Sequence, residues 1–550
     1  MLVVLAVGAV LRYYGIQNVE NTDEYNEIFE ALRTASGKLN YERWQKKGYQ
    51  NILAIEYGIY YVIGYSLGIF KNTIDFASKI IRNMEPLFLI GRYTTATLGT
   101  LSIALLYIIG NKIYNARVGL IAACLLAVNT IHVWTSHFVG TDVPLTFFFL
   151  LAVYFISRFY ESGKISDYAL AAFLGAVTIN IKMTGVGVGV IFAIAHVMRC
   201  KKENKEIINY VCCMPILVST IAFTAGFMIS NPAVVIGFRK LFTYYYSVYT
   251  NVYDEVPYAI GGNAYYTYLL LLYKDFGLFL TIMTTFSLIY AFKKREQWDI
   301  IFISFIIGLY MLLSNTEFLV QNRYLITMFP VLFLLNGRFL DSMAFRYCPS
   351  HNKGRWTVAM VILVVSVSPL LGSIQYVRTL TEENTSATAK EWIELNIPSE
   401  SRLLVDAGRT MITSGPRLNE SRKNIENKLF IIKNLKPGET YDSPQVKIVD
   451  SSSAIYYELL LRNMPEITYD ITTTEHGRRV ESADYYRKNG YQYFIHNEGL
   501  RWRIDDPLWK KKYPESARFY DTLDKEYGLI KTFQPSPTRG GSTIKIYKIQ

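Results

Sequence analysis

From Met1 to about Gln375 the chain is a series of long apolar runs, separated by short loops that hold much of its positive charge. That pattern limits its possible folds more than any other feature. A bilayer core needs roughly 20 apolar residues per helix, and fewer where flanking side chains snorkel to the interface. Runs meeting this measure are 2–14, 87–110, 118–134, 141–159, 168–181, 186–198, 207–229, 276–292, 300–314, 324–344 and 357–375. They amount to about eleven crossings, an odd number, which puts the two ends on opposite sides of the membrane. The run 51–70 is apolar too, but it holds Glu56 and several tyrosines. It reads as an interfacial helix within a long first outer loop, 15–86, rather than as a crossing.

Basic residues set the orientation. Lys112 and Arg117; Arg158 and Lys164; Arg199, Lys201, Lys202 and Lys205; Lys293, Lys294 and Arg295; and Arg346, Lys353 and Arg355 fall in alternate loops of one parity. The positive-inside bias places those loops in the cytoplasm and the rest outside. The same bias accounts for the net charge of +12 and pI near 9.1 without a nucleic-acid partner. Two spans strain the scheme. The run 2–14 is short enough to read as a signal-peptide core, although no A-x-A cleavage pattern follows. The pair 168–181 and 186–198 is broken at Met183-Thr184-Gly185, and parity holds only if both cross.

After Leu380 the apolar runs shorten and charge is mixed throughout. The sequence therefore divides into a membrane domain, 1–379, and a soluble α/β domain, 380–550, on the extracytoplasmic side; about 170 residues are enough for a separate core. Expected elements are a helix over 388–395 and strands at 402–406, 430–433, 446–449 and 544–548. All five cysteines lie before residue 380, so this domain folds without disulfides, and no Cys/His spacing reads as a zinc site.

Candidate chemistry gathers at the outer loops. Asp23-Glu24 stand just past the first span; one carboxylate can act as general base for a hydroxyl, and both can equally be the acidic first turn of a helix. The second outer loop carries His137 and Asp142; Asp142 reads either as the N-cap of the next helix or as an acid beside Asp23 in one cavity. Lys182, between two half-length apolar segments, either faces an anion or snorkels outward. Arg323-Tyr324 open a late span on the outer side, where a guanidinium asks for a partner such as a lipid phosphate. Arg92 invites the same argument more weakly. No P-loop, Ser-His-Asp or HExxH pattern is present.

Taken in order, several short motifs resemble one family. They are Asp23-Glu24, Gly91-Arg92-Tyr93, Asn129-Thr130-Ile131-His132, Thr141-Asp142-Val143-Pro144-Leu145, Lys182-Met183-Thr184-Gly185, Ser230-Asn231-Pro232, Asn322-Arg323-Tyr324 and Trp392 through Pro398. This order resembles the lipid-phosphate-dependent glycosyltransferases of the GT-C fold, in the branch of dolichyl-phosphate-mannose–protein mannosyltransferases and bacterial aminoarabinose transferases. The resemblance implies a multi-pass cell-membrane enzyme. It would move a sugar, mannose or similar, from a polyprenyl- or dolichyl-phosphate carrier to a protein, lipid or glycan hydroxyl outside the cytoplasm. It also implies Asp23 as catalytic acid-base with Glu24 beside it, and Lys182, Arg323, Tyr324 and Arg92 around the donor phosphate. A His-Pro-Pro segment frequent in relatives is missing, which leaves the acceptor type open. The WWDYG motif of oligosaccharyltransferases is absent as well, against transfer of a whole glycan to Asn. No cofactor is required by such a reaction; a divalent metal, ligated by Glu24 and Asp142, stays open. The rival readings are a transporter or flippase, which calls for a polar path at the midplane and repeated halves, and a non-catalytic membrane scaffold whose outer domain binds a partner.

Overall fold

The computed structural model describes the chain except for residues 20, 22, 38–46, 205, 207, 212, 233–263, 316–319, 348–350, 408–414, 435–453 and 550. The chain divides into two compact units. One contains Met1–Ile16, Glu27–Gly58 and Ile90–Val377; the other contains Gln17–Asn26, Ile59–Leu89 and Arg378–Gln550.

Among the described residues, the apolar runs are helical over most of their length. They form the helices Leu2–Tyr13, Glu85–Ile113, Ala116–Val128, Thr130–Thr135, Asp142–Ser162, Ile165–Ile181, Gly187–Lys202, Ile208–Val211, Met214–Ser230, Ala264–Lys294, Gln297–Ser314, Met328–Tyr347 and His351–Arg378, and the run 51–70 is helical over Lys47–Ser66. Among the described residues, 6 helices are long and apolar enough to cross a membrane on their own. Others are shorter because the sequence interrupts them. Asn129 leaves the helical conformation, and its side chain accepts from the His132 N–H at 3.0 Å, which restarts the chain as Thr130–Thr135. The run 207–229 becomes helical for good only at Met214-Pro215, since a proline is tolerated in a first turn, where its missing N–H has no partner to lose. The expected 276–292 span begins earlier, at Ala264, and is kinked at Gly277, whose φ of 69° suits glycine alone.

Close approach holds the helices together. A Cβ on Gly119 would lie 2.4 Å from the Tyr107 carbonyl oxygen, so helices Glu85–Ile113 and Ala116–Val128 meet backbone to backbone. Arg12 of the first helix is fully buried; it donates to the carbonyls of Gly8 (2.8 Å), Ala127 and Leu126 (both 3.0 Å), and its Nη2 lies 2.9 Å from His132 Nδ1. A cation thus meets the last carbonyls of Ala116–Val128, where the helix dipole favours positive charge. Several of the basic residues are paired: Arg117 with Asp341 (2.6 Å) and Arg158 with Asp167 (3.1 Å). Arg338, in a late helix, pairs with Asp299 and Glu296.

The second unit holds a five-stranded sheet: β1 (Arg402–Val405), β2 (Asp470–Thr473), β3 (Tyr493–Asn497), β4 (Gly528–Phe533) and β5 (Ile544–Lys548), in the order β2-β1-β3-β5-β4. β1 pairs in parallel with β2 and β3, whereas β5 pairs antiparallel with β3 and β4. Side chains alternate between two cores as a strand's period of two requires. Leu403, Val405, Ile471, Ile495 and Ile546 pack on helix Thr385–Asn396 through Ala389 and Ile393; Leu404, Phe494 and Tyr547 pack on helix Pro514–Glu526 through Phe519, Tyr520 and Leu523. The expected strand at 430–433 is instead the last turn of helix Arg422–Lys433, which Ser421 caps by accepting from the Asn424 N–H. A short apolar run fits either period, and here the cap upstream decides. The expected strand at 446–449 lies outside the described residues.

Where β1 and β3 end, Asp406 is buried and accepts four hydrogen bonds. The donors are the Thr474 hydroxyl (2.8 Å), the Tyr520 hydroxyl, His496 Nδ1 (2.5 Å) and the Asn497 N–H (3.1 Å). Burial, with the neighbouring carboxylate, holds the Tyr520 phenol protonated far above its ordinary range. Asp406→Ala orphans all four donors at once and is expected to cost the domain on the order of 3 kcal/mol; urea titration of tryptophan fluorescence measures it, and a loss below about 1 kcal/mol contradicts this account.

Candidate active site

Asp23 and Glu24 open helix Asp23–Ala35, and Asn21 shapes the entry: its side-chain oxygen accepts from the Asp23 N–H at 2.9 Å and its carbonyl from the Glu24 N–H at 3.3 Å. Two acids in a first turn are what the helix dipole favours, yet Glu24 is fully buried rather than solvated. Beside them, the Tyr25 ring meets Phe88 edge-on at 4.7 Å, and the Arg417 guanidinium lies over Tyr25 at 3.7 Å. Asp23, Glu24, Tyr25, Phe88 and Arg417 all belong to the second unit.

The other candidates belong to the first unit. Lys182 leaves helix Ile165–Ile181 in an extended conformation (φ −158°, ψ 136°), which turns its side chain out of the helical register. Its ammonium pairs with the Asp142 carboxylate and sits 4.8 Å above the Tyr324 ring. Asp142 is buried at the first helical position after Thr141, so it is not the N-cap. The anion that Lys182 faces in the protein is therefore Asp142, and a ring face adds a second electrostatic contact. Arg323, in the turn Asn322–Leu325, donates from Nε to Gln321 Oε1 at 2.6 Å. Arg92 is buried and donates to the Ile16 carbonyl at 3.2 Å.

His137 is fully buried, with Nδ1 2.8 Å from the Val133 carbonyl and Nε2 3.3 Å from that of Tyr14. Burial lowers its pKa to about 4, so the ring is neutral and carries one proton; the shorter contact, Nδ1–H to Val133, is the hydrogen bond. The unfolded chain takes up this proton near 6.5 and the folded chain only near 4. Stability contributed here is thus complete above pH 6.5 and declines as the pH falls toward 4, by on the order of 3 kcal/mol in all. Replacing His137 with Phe should flatten the melting temperature across that window; an unchanged slope contradicts the assignment.

One acid escaped the sequence reading. Asp275, just before the Gly277 kink, accepts from the Asn322 side chain at 3.2 Å through Oδ1, and among the described residues its buried Oδ2 has no hydrogen-bond partner. The signal was present: a Lys-Asp pair at the mouth of an apolar run. Arg417 gave no such signal, because it stands in an ordinary polar loop.

Residues 87–225 match the family model described as dolichyl-phosphate-mannose-protein mannosyltransferase, a segment that includes Arg92, His137, Asp142 and Lys182. Over 98% of its length the chain resembles the oligosaccharyltransferase of Archaeoglobus fulgidus in the apo form, at 12% identity and TM-score 0.52, covering 73% of that chain. It also resembles ArnT from Cupriavidus metallidurans bound to undecaprenyl phosphate, at 13% identity and TM-score 0.50, over 100% of this chain and 96% of that one. This is the GT-C fold. The GT-C fold expected from the ordered motifs is thereby shown, and the family model adds a match over residues 87–225. No curated protein sequence matches the chain. Within the GT-C fold of this protein, the Lys182–Asp142 pair occupies the family-matched segment, and Tyr324 comes from outside it.

Proposed function

We propose that this protein is a membrane glycosyltransferase. It moves a sugar, mannose or a similar one, from a polyprenyl- or dolichyl-phosphate carrier to an acceptor hydroxyl on the extracytoplasmic side. The observation that carries this reading is the Lys182–Asp142 pair over Tyr324, in a chain of GT-C fold. A lysine held by a carboxylate and a ring face is pre-positioned, and the lipid phosphate, which gains its second negative charge as it leaves, draws on it most strongly in the transition state.

In the proposed reaction Asp23 removes the proton from the acceptor hydroxyl as that oxygen attacks the anomeric carbon. The bond from that carbon to the phosphate oxygen breaks and its electron pair leaves with the phosphate; because the attack comes from the opposite face, the carbon is inverted. The leaving group is stable as an anion and needs positive charge more than a proton. Lys182 and Arg323 supply that charge, Tyr324 supports Lys182, Arg92 is assigned to the same donor phosphate, and Glu24 stands beside the base. The leaving phosphate is stabilised by side-chain cations, so the scheme requires no metal. The membrane orientation argued from the basic loops, with about eleven crossings and the C-terminal domain outside, belongs to the same proposal.

Mass spectrometry of glycans and glycoproteins from cells with and without the chain tests it. The expected result is loss of one sugar from a defined set of acceptors; indistinguishable profiles contradict the proposal.

A further inference from the structure

The C-terminal domain and the acid pair share one compact unit, and two ties join them within it. Asn18 donates through Nδ2 to the Leu380 carbonyl at 2.9 Å, where the domain begins. Further along, Arg417 lies with its guanidinium 3.7 Å from the Tyr25 ring centre and 5.9 Å from that of Phe88, while Phe88 meets Tyr25 edge-on. Tyr25 is thus held on one side by a cation and on another by a ring, directly after Asp23-Glu24.

Arg417 is itself held by a rigid base. Its neighbour Leu418 is buried in the sheet's core with Val405, Tyr469 and Ile471. The next residues pair with the chain leading into β2: the Tyr469 N–H donates to the Asn419 carbonyl at 2.8 Å, and the Ser421 N–H to the Tyr469 carbonyl at 2.7 Å. A long side chain anchored this way transmits the position of the sheet to whatever its tip touches. A guanidinium 3.7 Å from a tyrosine ring centre is drawn to the ring's face, which favours one placement of the helix start over another.

We infer that Arg417 is a positioning residue for the transfer reaction: through Tyr25 it fixes the first turn that carries Asp23, which makes the C-terminal domain part of the catalytic apparatus. This rests on the reading of Asp23 as the base. A general base works only within hydrogen-bond reach of its proton, and a misplacement near 1 Å can cost about a hundredfold in rate. The consequence is a turnover effect, since the donor-binding cations lie on other elements.

The test compares Arg417→Ala, Arg417→Gln, Arg417→Lys, Tyr25→Leu and Tyr25→Phe with Asp23→Asn in the full-length purified protein. Transfer is followed with mannosyl-phosphate carriers, or with whichever sugar-phosphate carrier the wild type uses. Arg417→Ala, Arg417→Gln and Tyr25→Leu should lower kcat about tenfold to a hundredfold, with donor KM and melting temperature nearly unchanged. Arg417→Lys and Tyr25→Phe, which keep the cation and the ring, should restore most of it. The Arg417→Ala/Tyr25→Leu double variant should be no worse than either single one, because both break one contact. If Arg417→Ala does not fold, Arg417→Gln and Tyr25→Leu decide. Turnover within about twofold of wild type in these variants, or a loss carried wholly by KM or stability with no rescue by Lys, overturns the inference. An active Asp23→Asn would instead overturn the underlying reading, whatever the Arg417 variants show.

Discussion

Asp23→Asn should abolish most sugar transfer, lowering kcat by about 10²–10⁴-fold, while expression, detergent monodispersity and melting temperature stay as in the wild type. The amide keeps the size of the side chain and its place in the first turn of helix Asp23–Ala35, yet it cannot accept a proton from a hydroxyl. The backbone that shapes this turn, from Asn21 to the Asp23 and Glu24 amides, is untouched by the change. A rate assay with saturating donor separates this loss from binding: the account predicts reduced kcat at unchanged donor KM. Retained turnover would remove Asp23 as the base.

Lys182→Ala should produce the second large effect, and it has two parts. Loss of the ammonium removes charge from the departing phosphate, expected to cost about 10²–10³-fold in transfer. It also strands the buried Asp142 carboxylate, and breaking a buried pair costs about 3–5 kcal/mol. The Lys182→Met/Asp142→Asn double variant separates the two, since it leaves no orphaned charge. Its melting temperature should return close to that of the wild type, whereas transfer should not return. A double variant that regains both would make the ion pair a structural device alone.

The helical frame was largely legible because hydrocarbon-spanning helices must be both long and apolar, and composition alone reports that. What composition missed were interruptions decided by single residues: Asn129 capping Thr130–Thr135, Pro215 starting Met214–Ser230, and Gly277 kinking a helix that starts a dozen residues earlier than its apolar run. The C-terminal sheet was harder to read. β1 and β5 stood out as short apolar stretches, but β2 (Asp-Ile-Thr-Thr) and β4, largely exposed, carry little apolar pattern and exist through pairing with their neighbours. Phe430 through Lys433 shows the opposite failure, an apolar run recruited into a helix by the Ser421 cap.

Site residues followed the same division. Lys182 was conspicuous since a cation at membrane depth is costly, and the protein meets that cost with Asp142 and Tyr324. His137 drew notice by type, but in the structure it is a neutral, buried imidazole bonded to a backbone carbonyl. Arg417 could not be read from sequence, for its meaning arises only when a loop some four hundred residues away in the chain comes to rest on Tyr25.

The central claim is sugar transfer from a lipid phosphate by an outward-facing Asp23, and one measurement addresses it directly. Sealed proteoliposomes of defined orientation, loaded with labelled mannosyl-phosphate polyprenol and supplied with acceptor on one side, report transfer and sidedness together. The account predicts labelled acceptor and free polyprenyl phosphate only when acceptor is on the side bearing the C-terminal domain, and neither with Asp23→Asn. Movement of intact labelled carrier across the membrane without cleavage, in wild type and Asp23→Asn alike, would contradict it.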